Sequence, residues 1–150
     1  LGIAMQLTNI SRDILEDAQM GRRYLPASWI DLPASVIANA DIVCQQQVAD
    51  AAERMLDLAE NYYQSALLGI QLLPLRSRLS ITIALRVYRQ IGWVLKRRGL
   101  PWWQGRVFVS KSEKMLLSIR SLKDLIPVRV PAHNKVLHQY LHGLVGIQTE

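Results

Sequence analysis

Apolar residues recur along the first nineteen positions with the three-and-four spacing of a helix. Ile3, Ala4, Leu7, Ile10, Ile14, Leu15 and Ala18 fall on one side. At about 100° per residue, Gln6, Asn9, Asp13 and Asp17 lie within an arc of roughly 80° on the other, with Arg12 and Glu16 on its border. The pattern predicts one amphipathic helix over residues 1 to 19 with its polar row turned away from a core. The same periodicity predicts helices near 41 to 73, 75 to 98 and 110 to 123. A Pro-bounded connection runs from Gly21 to Ala40, and a Gly-Pro-Trp loop occupies 99 to 106; Pro74 is placed to open the helix that follows it. No strand alternation competes, so the expected class is all-α. From Asp124 onward Pro127 and Pro131 break the pattern, leaving room for a short helix near 133 to 145.

The polar row invites chemistry. Asp13 and Asp17, four residues apart, repel by a few tenths of a kcal/mol on a bare helix. A hard cation held by Asn9, Asp13 and Asp17 would relieve that, and oxygen-only donors suit Mg2+ or Mn2+. A solvated acidic face is the competing reading. Asp50, Glu53, Asp57 and Glu60 repeat the stripe without an amide ligand or a following arginine loop, and are read as surface. After the first row, Gly21 is a plausible terminator and Arg22-Arg23-Tyr24-Leu25-Pro26 sets two guanidinium groups and a phenol just past the carboxylates. Guanidinium forks match diphosphate oxygens; the plainer alternative is that both arginines complement the negative helix end.

Charge is unevenly spread. Residues 1 to 75 carry four Arg or Lys against nine Asp or Glu, and residues 76 to 150 carry fourteen against three, within a formal net charge of +6. Lys96-Arg97-Arg98 followed by Leu100-Pro101-Trp102-Trp103 joins cations to interfacial aromatics, as an anionic membrane surface would require. A solvated basic face with the Trp pair capping the core is the alternative. Nucleic acid is rejected as a partner, because the acidic row opposes it and no recognisable binding module is present. The longest uncharged stretch, Asn61 to Leu75, is too short for a span of about 20 apolar residues. A single Cys44 forms no intrachain disulfide, which fits a reducing compartment. The expected place is the cytoplasm, with peripheral contact at the inner membrane face. His133, His138 and His142 suggest zinc by spacing alone, but lack carboxylate neighbours and are read as ordinary helix surface.

The run Gly2-Ile3-Ala4-Met5-Gln6-Leu7-Thr8-Asn9-Ile10-Ser11-Arg12-Asp13 through Asp17, then Gly21-Arg22-Arg23-Tyr24-Leu25-Pro26, resembles the second aspartate-rich motif of the squalene and phytoene synthase family. Leu73-Pro74-Leu75-Arg76-Ser77, Val87-Tyr88-Arg89-Gln90-Ile91-Gly92 and Arg106-Val107-Phe108-Val109-Ser110-Lys111, followed by Lys114, place it nearer the bacterial phytoene-forming branch than the squalene-forming one. The likeness spans roughly residues 1 to 123, leaving 124 to 150 as a tail.

That resemblance implies the C-terminal part of an isoprenoid-synthase helical bundle enclosing a central cavity. It implies Mg2+ on Asn9, Asp13 and Asp17, with diphosphate held by Gln6, Arg12, Arg22, Arg23 and Arg106. Asp13, Asp17, Tyr24 and Tyr88 would serve the chemistry. Tyr88 shares a stripe with Ile81, Ala84, Leu85, Ile91, Gly92 and Leu95, where Ala84 and Gly92 leave space for an isoprenoid chain or for close helix packing. The implied reaction joins two geranylgeranyl diphosphates head to head, through a cyclopropyl diphosphate, to phytoene in carotenoid biosynthesis; a farnesyl-using squalene or dehydrosqualene synthase is the alternative, and no nicotinamide cofactor is suggested. A non-enzymatic basic helical module docking on anionic membranes is the reading from another class. The family's first aspartate-rich motif is absent, and Leu1 falls inside a patterned helix. The chain is therefore expected to be a fragment lacking its N-terminal part and inactive alone.

Overall fold

Hydroxyl-bearing residues, rather than the bulkiest apolar ones, form the seam along which the opening helix packs. In the computed structural model, which describes residues 1–122, 126 and 135–141, α1 (Gly2–Arg12) buries Ala4, Thr8 and Ser11. Ile3, Leu7 and Ile10 are only half-buried. Thr8 Oγ1 donates to Ala4 O at 2.9 Å and Ser11 Oγ to Leu7 O at 2.9 Å, so both hydroxyls are satisfied inside their own helix and can enter the core. Thr8 Oγ1 also lies 2.9 Å from the Tyr63 hydroxyl. Its single proton goes to Ala4 O, so Tyr63 donates.

The expected helix over 1 to 19 is divided at Asp13. α2 (Ile14–Gln19) continues from a residue at φ −102°, ψ 13°, while Asp13 N–H still bonds Asn9 O at 2.9 Å and Asp17 N–H bonds Asp13 O at 2.9 Å. The connection expected to be irregular contains α3 (Ala34–Asn39), which follows Pro33 and ends on Ala40 at φ 52°. α4 (Ile42–Ile70) and α5 (Leu75–Arg97) fall where periodicity placed them; Pro74 is the residue before the first turn of α5. α6 (Lys111–Ser121) opens on a capping box, Ser110 Oγ accepting from Glu113 N–H while Ser110 N–H bonds the Glu113 carboxylate at 3.0 Å. Among the described residues there is no strand, and no helix is long and apolar enough to cross a membrane.

α1 lies across α4 and α5, α2 packs on α3, and α6 packs on α5. One apolar cluster joins Ile14, Ile37, Val48, Met55, Leu95 and Trp102; a second gathers Ala4, Ala59, Tyr63, Ile70 and Leu85. Tyr88 is half-buried and touches both. Gly92 serves close packing: a Cβ there would stand 3.2 Å from Leu56 Cδ2. The pocket between α1, α4 and α5, lined by Thr8, Leu56, Tyr63 and Gly92, holds about 90 Å³, well short of a site for a long hydrocarbon.

The acidic stripe on α4 is not a bare surface. Glu60 is held by Arg89, whose Nε donates to Oε2 at 2.8 Å, and Asp57 Oδ1 accepts from Lys96 Nζ at 2.6 Å. Glu53 adds to Lys96 at 3.5 Å. These pairs lace α4 to α5. Trp102 is a core residue: it is 2% exposed, and its Nε1 donates to Gln45 O at 3.0 Å, while Trp103 is half-buried. Lys135–Leu141 forms a 3-10 turn where a short helix was expected. His133 and His142, with the rest of the tail, lie outside the described residues, as does the side chain of His138.

Candidate functional site

The break at Asp13 turns a carboxylate into a junction. Arg12 Nε and Nη2 donate to its two oxygens at 2.7 and 2.8 Å, a fork closed on the neighbouring residue. From the far side Arg106 Nε donates to Asp13 Oδ1 at 2.9 Å and stands 2.8 Å from Glu16 Oε2. Burial alone would push the Asp13 carboxyl up, but the bonds and charges of Arg12 and Arg106 together hold it below the usual carboxylate range. The bond to Asp13 raises Arg12 in turn. Asp17 moves the other way: burial raises it first, and the negative charge of Asp13 adds, against the opposing charges of Arg22 and Arg106.

One further oxygen completes the row. Asn9 Oδ1 is buried and has no hydrogen-bond partner. An unpaired buried acceptor costs about 1–3 kcal/mol, so it marks a place where a donor or a cation is expected. No set of three His, Cys, Asp or Glu side chains among the described residues is gathered for a metal. The donors on hand are an amide oxygen and carboxylates, which suit Mg2+. The chemistry of the donor set fits that ion.

Arg106 reaches this point through a loop with a firm root. Gly99 at φ 74°, Leu100 at φ 53° and Gly105 at φ 84° bend the chain back after α5, and buried Trp102 pins the turn to the start of α4. At the other end of α2, Gly21 at φ 73° closes a Schellman motif: its N–H bonds Ala18 O at 2.9 Å, and Arg22 N–H bonds Asp17 O at 2.8 Å.

The remaining candidates divide. Asp17, Arg22, Arg23 and Tyr24 line one shallow cleft with Ile10, and Tyr24 is half exposed there. Arg23 is turned to its own loop, Nη1 donating to Leu32 O at 2.9 Å with Asp31 at 3.6 Å, so it is a brace for that loop and does not contact the carboxylate row. Gln6 is exposed on the same helix as Asn9. Tyr88 is half-buried and packs against both apolar clusters. Sequence reasoning left two residues out. Glu16, set on the border of the polar row, shares Arg106 with Asp13. Tyr63, which anchors α1 through Thr8, gave no signal beyond its place in a half-apolar run.

Residues 1–113 match the family model described as squalene/phytoene synthase. Among curated proteins, a 15-cis-phytoene synthase of Enterobacter agglomerans is 41% identical over 134 residues, 89% of this chain and 45% of its own length. One of Pantoea ananas is 40% identical over 134 residues, 89% of this chain and 43% of its own. One of Paracoccus sp. is 41% identical over 115 residues, 77% of this chain and 37% of its own. The chain thus spans less than half the length of each of these relatives. An alignment of 134 residues also exceeds the 123 to which the sequence motifs were confined. No solved structure matches.

Proposed function

Because the chain belongs to the squalene/phytoene synthase family, we propose that the protein carrying it condenses two geranylgeranyl diphosphates head to head to phytoene. The observation that carries this reading is the convergence of Arg106 and Arg12 on Asp13 beside the unpartnered oxygen of Asn9. Loss of diphosphate from an allylic carbon builds negative charge on the leaving group, and the site has cations and metal-binding oxygens in one place to meet it.

Asn9, Asp13 and Asp17 would hold Mg2+, which when bound supplies Lewis acidity and charge neutralisation at the diphosphate. Arg106 and Arg12, now spent on Asp13, are the guanidinium groups that diphosphate oxygens would share. Arg22 adds positive charge next to Asp17, and Tyr24 offers a phenolic donor at the rim of the same cleft. Gln6, one turn before Asn9, is the exposed polar side chain that continues the row. Tyr88, half-buried against both apolar clusters, would border the hydrocarbon side. The allyl cation would add to the allylic double bond of the second substrate and lose a proton as the cyclopropyl diphosphate closes; departure of the second diphosphate, rearrangement and loss of a second proton would give phytoene.

The experiment is product analysis of the full-length protein with Mg2+ and either geranylgeranyl or farnesyl diphosphate. Phytoene from the first and little product from the second is expected. Dehydrosqualene or squalene from the second, with none from the first, would replace the substrate assignment. No prenyl product from either, in a folded protein, would overturn the reading. The chain of residues 1–150 alone is expected to be inactive, since Asp13 and Asp17 make its single Asp-x-x-x-Asp pair.

A further inference from the structure

Arg106 has two carboxylates within reach. Its Nε donates to Asp13 Oδ1 at 2.9 Å and lies 2.8 Å from Glu16 Oε2, so both contacts run through the same nitrogen. The two carboxylates are unlike. Asp13 is the more buried, 14% exposed at the side chain against 40% for Glu16, and it is already crowded. Its Oδ1 accepts from Arg12 Nε at 2.7 Å as well as from Arg106, and its Oδ2 accepts from Arg12 Nη2 at 2.8 Å. Among the described residues the Glu16 side chain makes one ion pair, the one with Arg106. Glu16 and Asp17 are adjacent in α2 and so stand about 100° apart around its axis. Asp17 accordingly lines the cleft of Arg22 and Tyr24, while Glu16 meets the loop after α5.

We infer that Glu16 is a positioning residue: it holds Arg106 by Nε once Asp13 is given over to a cation, and so keeps that guanidinium at the diphosphate. The inference rests on the proposed diphosphate chemistry of this row. Asp13 cannot accept a cation while two guanidinium groups lie on Oδ1, so one of them must leave. Arg12 is bound by two parallel bonds, whereas Arg106 gives Asp13 one, and Arg106 is the easier to release. An exposed arginine set free would spread over many rotamers. With Glu16 in place it passes from one oxygen to another already in contact. A planar guanidinium gripped at Nε keeps Nη1 and Nη2 for an anion. Charge alone gives the opposite expectation for Glu16, since a carboxylate near an anion repels it and its neutralisation should help binding. The sign of the effect therefore separates a positioning role from a bystander.

The test is calorimetric binding of inorganic diphosphate, with Mg2+ present, to the full-length protein as wild type, Glu16→Gln, Arg106→Gln and the double variant, beside a titration with Mg2+ alone. Glu16→Gln should weaken diphosphate binding about tenfold, the cost of a misdirected guanidinium. In the Arg106→Gln background the same change should matter by less than about twofold, because the carboxylate then has nothing to hold. Mg2+ alone should bind Glu16→Gln within about twofold of wild type, since Glu16 is assigned no metal. Unchanged or tighter diphosphate binding by Glu16→Gln, or losses that simply add in the double variant, would overturn the inference. So would weaker Mg2+ binding by Glu16→Gln, which would make Glu16 a ligand. If the wild type makes phytoene and one of these results appears, the role of Glu16 falls by itself. If it makes no prenyl product but shows the coupled loss of diphosphate, the role stands and the reaction falls. A wild type that binds no diphosphate overturns both.

Discussion

Arg106 and Asp13 are ninety-three positions apart and joined by a 2.9 Å hydrogen bond. The bond links the loop after α5 to the break between α1 and α2, and it loads two guanidinium groups onto one carboxylate. Such a cluster is electrostatically ready for an anion, because the arginines need only exchange one set of oxygens for another.

Asp13→Asn removes the charge that both arginines share while keeping a side chain of the same shape. On the proposed reaction, product formation by the full-length protein should fall at least about a hundredfold, as expected for losing a charge beside the leaving group. Calorimetric binding of inorganic diphosphate with Mg2+ should weaken in parallel. Normal turnover in Asp13→Asn would remove Asp13 from the metal set.

Tyr63→Phe deletes the donor to Thr8 and should destabilise the fold by roughly 0.5–1.5 kcal/mol in urea titration. Burial pushes the Tyr63 phenol up to about 12, with the Thr8 bond pulling slightly back. A pKa raised on folding means stability that is complete below the ordinary value near 10 and is lost as pH climbs toward 12. Alkaline unfolding should therefore begin at higher pH in Tyr63→Phe, relative to its own neutral-pH stability, than in the wild type.

Glu60 carries the opposite sign. Burial would raise its carboxyl, but the Arg89 and Gln64 bonds together hold it below the ordinary range. The pair therefore stabilises at neutral pH, and that contribution disappears as pH falls through the ordinary carboxylate value to the lowered one. Glu60→Gln should flatten the acid limb of a stability-against-pH curve. An unchanged limb would assign acid sensitivity to other carboxylates.

Gly92→Val puts branched carbon where Leu56 Cδ2 already stands 3.2 Å from a modest Cβ. Leu56 is buried and has little freedom to yield, so a loss of about 1–3 kcal/mol is expected. Leu56→Ala in the same chain should restore part of it; strictly additive losses in that double-mutant cycle would place the clash elsewhere.

Much of this was legible in the residues themselves. α4 and α5 announce themselves by period, as does the polar row Asn9-Asp13-Asp17, while Arg106 was singled out by motif likeness alone. The break at Asp13 was not legible, because nothing in the local period interrupts there; the residue is held by an arginine fork and by a loop far along the chain. The buried seam of α1 was misplaced because Thr8 and Ser11 look polar on a helical wheel, yet discharge their polarity onto carbonyls one turn back. The stripe ending at Glu60 looked solvated because its partners, Arg89 and Lys96, lie 29 and 39 residues onward. Composition likewise cannot separate a tryptophan at a membrane from one in a core, and the hydrogen bond from Trp102 to Gln45 decides between them.

Trp102 is buried and bonded to α4, yet it roots the short loop from which Arg106 extends. Core cohesion and reactivity therefore share a single fulcrum. On the proposed reaction, lesions at Trp102 would cost activity as those at Asp13 do, and heating the purified proteins would tell the two classes apart.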